Sequence, residues 1–114
     1  MNDDIKIMIK IYGTYEVDWL SDEIKSESDL TRHHIVKKEN GGENGISNYA
    51  LLTKRSHAFI HYLEDNYVEE YNYLNSLFLE LNRSLAPPTK EYYERVRSVV
   101  KRIRKRIKNK SRRR

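Results

Sequence analysis

The sequence predicts an α+β domain, on three observations. Isoleucines alternate with other residues near the N-terminus, a Gly/Asn-rich loop separates two short β-type runs, and a 3.6-residue apolar period fills the second half. The 114 residues suit one compact unit with one appended element, divided at the Pro87-Pro88 pair into residues 1–86 and 87–114. Only 38% of residues are hydrophobic and 34% are charged, so the core is small and gains from a metal or a partner. With no cysteine, disulfides and thiolate–zinc sites are excluded.

Ile5, Ile7, Ile9 and Ile11 alternate with Lys6, Met8, Lys10 and Tyr12, a period of two that predicts a strand ending at Gly13. Thr14 to Trp19 is expected to pair back as a second strand, and Ser21 to Asp29 to form a polar loop or a short frayed helix. Residues 30–36 and 48–52 read as a hairpin around the turn-rich segment Lys37 to Ser47, which holds Gly41-Gly42 and Asn44-Gly45. Thr53 is a good N-cap for a helix over about 54–64. A second helix over about 66–83 carries Tyr67, Val68, Tyr71, Leu74, Leu77, Phe78 and Leu81, with a kink expected around Asp65-Asn66. After Ala86-Pro87-Pro88, Thr89 caps a last helix whose stripe is Tyr92, Val96, Val99, Ile103 and Ile107.

The net charge of +5 is unevenly spread. Residues 101–114 hold ten of the 22 Lys and Arg, which leaves 12 basic against 17 acidic groups elsewhere, a net of −5. A cationic end of this kind suits a polyanion, most simply nucleic acid, through release of condensed counterions. Lys101, Arg102, Arg104, Lys105 and Arg106 are the expected contacts there. The first twenty residues carry charges among their apolar positions, so no secretory signal is expected, and no later run approaches a bilayer span. The expectation is therefore a cytoplasmic, intracellular protein without a membrane partner.

All four histidines lie between positions 33 and 61. His57 and His61, at i and i+4, share one face of a helix, an arrangement that binds divalent metals in two-point fashion. His33 and His34 are adjacent on a strand and point to opposite faces, so one can complete a three-nitrogen site while the other stands off. An imidazole near a metal and a phosphate can activate water, because it is largely neutral at pH 7.

The segment HHIVKKENGGENGISNYALLTKRSHAFIH resembles the HNH motif of the ββα-metal (His-Me finger) nucleases, particularly the colicin-type bacterial DNases. The likeness covers roughly a quarter of the chain. It rests on a His-His pair ending the first strand, the Gly-Gly loop, an Asn opening the second strand and the helical His-x-x-x-His. The resemblance implies a ββα-metal core with an N-terminal strand or hairpin and C-terminal helices. Residues 1–86 would then be the nuclease domain, and 87–114 a basic helix and tail. It further implies that His33, His57 and His61 bind one divalent metal, that His34 is the general base and that Asn48 ties the loop together and helps hold that base. The activity it implies is metal-dependent endonucleolytic hydrolysis of phosphodiester bonds, with DNA the expected substrate.

All-nitrogen ligation favours zinc, nickel or manganese, although several relatives work with magnesium. The chain departs from many relatives in lacking the two Cys pairs that brace the hairpin around a structural zinc. Arg32, Lys54 and Arg55 stand near the motif and are expected to contact phosphates. The alternative is a non-catalytic nucleic-acid-binding protein that retains the metal site as structure. A third reading is a helical interaction protein, of the kind found in phage or mobile-element systems, with the Tyr/Leu-rich helix as partner or homodimer surface.

Overall fold

The computed structural model describes residues 3–13, 17–21 and 27–112. Among them are four α-helices and one two-stranded antiparallel sheet, an α+β arrangement dominated by helix. The order is α1 (Asp3–Tyr12), β1 (Leu30–His34), β2 (Tyr49–Thr53), α2 (Lys54–Asn66), α3 (Val68–Ser84) and α4 (Lys90–Arg112).

The N-terminal strand expected from the isoleucine alternation is instead α1. A strand would put Ile5, Ile7, Ile9 and Ile11 on one face. The buried set is Ile5, Met8 and Tyr12, spaced as on a helix, while Ile7 stays 45% exposed. Asp3 and Asp4 in the first turn and Lys10 in the last complement the helix dipole. Tertiary contacts complete the choice: the Tyr12 ring meets Trp19 edge-on at 4.9 Å, and its hydroxyl donates to the Asn82 carbonyl. Isoleucine's small helix penalty is easily outweighed by such burial. Of the expected second strand, residues 14–16 lie outside the described residues. Val17 makes only an isolated bridge, and the Trp19 amide donates to the Leu51 carbonyl at 2.8 Å. In the polar stretch that follows, 22–26 also lie outside the described residues, and Glu27–Asp29 is one 3-10 turn.

The hairpin and the three helices after it form as the sequence predicts. Leu30 pairs with Thr53 and His34 with Tyr49 across the ladder, so the register faces His33 against Ala50. Thr53 caps α2 by accepting from the Ser56 amide at 3.2 Å, and Thr89 caps α4 by accepting from Tyr92. The expected kink is a break at Tyr67 between α2 and α3. One buried cluster runs from α1 to α4 and includes Trp19, Leu51, Leu52, Ile60, Leu63, Leu74, Phe78, Val96 and Ile103. The division at Pro87 therefore separates two parts that share a core. The apolar face of α3 (Tyr71, Leu74, Leu77, Phe78, Leu81) packs inside the chain, leaving Val68 and Tyr73 as its exposed large hydrophobic side chains. Among the described residues no helix is long and apolar enough to cross a membrane.

Candidate metal centre

The hairpin and α2 bring three of the four histidines together. Thr31 and His33 share a face of β1, and α2 crosses that face with His57 and His61 one turn apart. The ring centres of His33 and His57 are 5.6 Å apart, those of His33 and His61 6.4 Å, and those of His57 and His61 4.8 Å. Two imidazoles on one tetrahedral ion at about 2.1 Å have ring centres roughly 5 Å apart, so the cluster has the dimensions of a shared site. The donors fit a borderline transition metal. Among the described residues, though, no group of three His, Asp or Glu is already disposed as a ligand set. The rings of His57 and His61 stack at 20°, so their nitrogens do not converge with those of His33. Convergence requires His61 to turn. Its side chain is 60% exposed, and its recorded polar contact is Nδ1 to Glu64 Oε1 at 3.5 Å.

His33 is 3% exposed, wedged against Phe78, and its Nε2–H donates to Asn75 Oδ1 of α3 at 2.8 Å. Burial, reinforced by the neighbouring imidazoles, lowers its pKa to about 4 against the opposing pull of Asn75. Burial, with His61 and His34, also pulls His57 below the usual histidine range. Both rings are thus neutral at pH 7, the form that binds a metal.

His34 points to the other side of the hairpin, where its ring meets Tyr49 edge-on at 5.1 Å. Its Nε2–H donates to Asn44 Oδ1 at 2.9 Å, which leaves Nδ1 as the accepting nitrogen. The side-chain hydrogen bonds of Asn48 run to the loop and not to the histidines. The residue is 6% exposed and laces the loop: Oδ1 accepts from the Val36 amide, while Nδ2 donates to the Val36 and Glu43 carbonyls, all at 2.9 Å. The same loop explains Gly42, where a Cβ would lie 1.8 Å from the Val36 carbonyl oxygen. Lys37 reaches across to pair with Glu64, which depresses the carboxyl of Glu64 and raises the ammonium of Lys37.

The basic residues divide. Lys54 and Arg55 are exposed in the first turn of α2. Arg32 is partly engaged, 3.4 Å from Asp4 and 5.2 Å from the centre of the Tyr49 ring. Lys101, Arg102, Arg104 and Lys105 are exposed on α4. Arg106 pairs with buried Glu70 and lies 4.9 Å over the Tyr67 ring, so it fastens α4 to α3.

Thr31, Asn44, Asn75 and Asp18 escape the motif. Thr31 had a legible signal, since it lies two residues before His33 on the same strand face. Asn75 had another, as a polar residue inside the apolar stripe between Tyr71 and Phe78. No family model, curated protein or solved structure matches the chain.

Proposed function

We propose that the chain is a metal-dependent endonuclease with an HNH-type ββα-metal centre, cleaving phosphodiester bonds of DNA. The observation that carries this reading is the gathering of His33, His57 and His61 within 6.4 Å of one another, ring centre to ring centre, on one face of a hairpin–helix unit, with the rings of His33 and His57 held neutral. His33, His57 and His61 would hold the divalent ion, which when bound supplies Lewis-acid stabilisation of charge on the phosphate. His34, on the opposite face of the hairpin from His33, takes the base role that the HNH resemblance implies: with Nε2–H committed to Asn44, its Nδ1 lone pair is the one free to accept a proton from water. Asn48 acts at one remove, fixing the loop that carries Asn44. Lys54 and Arg55, one and a half helical turns or less from His57, bind the flanking phosphates, and the exposed cations of α4 add sequence-independent affinity. Zinc, nickel and manganese suit the imidazole donors best, and magnesium is the fourth ion to try.

Supercoiled plasmid incubated with the protein and each of these four ions should be nicked or linearised. His34→Ala should lose about a hundredfold or more in rate, the usual worth of a general base. Failure of the wild type to cut with any ion, alongside retained DNA binding, would establish the non-catalytic alternative. Equal cutting by His34→Ala would remove His34 as the base.

A further inference from the structure

Thr31 Oγ1 lies 2.7 Å from the Leu52 carbonyl oxygen and 2.8 Å from His57 Nδ1. A threonine hydroxyl has one proton, and a carbonyl oxygen cannot donate, so that proton goes to Leu52. The contact to His57 is then attractive only with the imidazole as donor, its own proton on Nδ1. A neutral ring so arranged carries its lone pair on Nε2. The geometry does not depend on Thr31 alone, because Thr31 and Leu52 are cross-strand partners in the hairpin register.

We infer that Thr31 is a positioning residue that locks His57 as the Nδ1–H tautomer and so makes Nε2 the atom presented to a divalent metal; this rests on the metal-site reading above. Free histidine in water favours the opposite tautomer, with its proton on Nε2. Without Thr31 the nitrogen needed for the metal would be protonated in most molecules. The hairpin register thereby sets a protonation pattern on the helix: a slip of one residue would turn Thr31 to the other face of the hairpin, away from His57.

The test uses the full chain labelled with nitrogen-15 in histidine, metal-free at pH 7.5, with two-bond proton–nitrogen correlation spectra to read the His57 tautomer. Zinc affinity is measured in parallel by competition with a chromophoric chelator. Wild type and Thr31→Ser should both show Nδ1–H and bind zinc alike. The near-isosteric Thr31→Val should shift His57 toward Nε2–H and bind zinc about 10–100-fold more weakly. An Nε2–H tautomer in the wild type, or undiminished zinc affinity in Thr31→Val, overturns the assignment. A wild type that shows Nδ1–H yet takes up no zinc overturns it together with the metal-dependent reading. Zinc binding with the expected order of variants but no plasmid cleavage supports Thr31's role and removes only the nuclease.

Discussion

Two polar clusters lie beside α2, one buried and one half-open, and they are partnered in opposite ways. At the N-terminus of the helix, Asp18 is 1% exposed and accepts from the Leu20 amide, the Ser21 and Thr53 hydroxyls and the Ser56 hydroxyl. Its backbone and that of Trp19 are held as well, by the hydroxyls of Tyr93 and Tyr92 on α4. Next to this cluster, His57 of α2 and His33 of β1 each make one hydrogen bond through one nitrogen, and the second nitrogen has no hydrogen-bond partner among the described residues. A buried acceptor with donors on both of its oxygens is structural, since neither oxygen is left without a partner. A ring nitrogen with an uncommitted lone pair that is not sealed from solvent remains open to water or to a ligand. The first cluster fixes where α2 starts; the second is what α2 is placed to present.

Breaking the saturated cluster should have the largest effect. Asp18→Ala leaves two hydroxyls and a backbone amide buried without an acceptor, and should lower stability by about 3 kcal/mol. Thermal unfolding should then fall by roughly 10 °C in a domain of this size. A shift of only a degree or two would show that the cluster is not the anchor of α2.

The histidine cluster should instead reveal itself in acid. With a pKa of about 4 in the fold against 6.5 unfolded, His33 stays neutral in the native chain while the unfolded chain takes up a proton. Its contribution is intact above pH 6.5 and lost as pH falls toward 4, about 3 kcal/mol in all. Asp18 acts with the opposite sign, because burial lifts its carboxyl and protonation favours the fold. Comparing urea unfolding of wild type and His33→Asn at pH 7 and pH 4.5 separates the two, since Asp18 is common to both. Equal pH slopes would mean His33 is not held neutral.

The remaining effects are smaller and fall on α4. Arg106→Ala leaves the Glu70 carboxylate buried without its cation and should cost about 1.5 kcal/mol in chemical unfolding, discounted because Arg106 is half exposed. Replacing Lys101, Arg104 and Lys105 together by Gln should change stability by less than about 0.5 kcal/mol. The same triple change should reduce the slope of log affinity for duplex DNA against log salt by roughly 2.7, at 0.9 per phosphate contact. An unchanged slope would take α4 out of the nucleic-acid surface and leave it a structural strut.

The hairpin and the caps of α2 and α4 were legible in the sequence from local turn and cap signals, and the gathering of three histidines from the spacing of His57 and His61 and from the motif that adds His33. Gly41-Gly42, Thr53 and Thr89 act within a few residues of themselves. The nature of α1 was not legible, because Ile5, Met8, Ile9 and Tyr12 overlay an every-second-residue isoleucine pattern. The choice between helix and strand rests on Trp19, beyond the glycine that ends the pattern, and on Asn82, far along the chain. Asp18 was equally hidden, as its hydroxyl partners Thr53 and Ser56 come from the start of α2. The stacked rings of His57 and His61 show where spacing stops being informative: it sets a shared face, and side-chain rotation decides whether the nitrogens converge.

The lacing by Asn48 has a consequence for how the chain can vary. Its three bonds join Val36 and Glu43 to the start of β2, so the two ends of the loop are held abreast whatever lies at the tip. Lengthening a loop whose ends are already fixed costs only about 0.6 kcal/mol for each doubling. New residues inserted between Lys38 and Gly41 would therefore leave the His34 and Tyr49 ends of the ladder in register. The tip is the place where this chain could acquire a new recognition element at little expense to its fold.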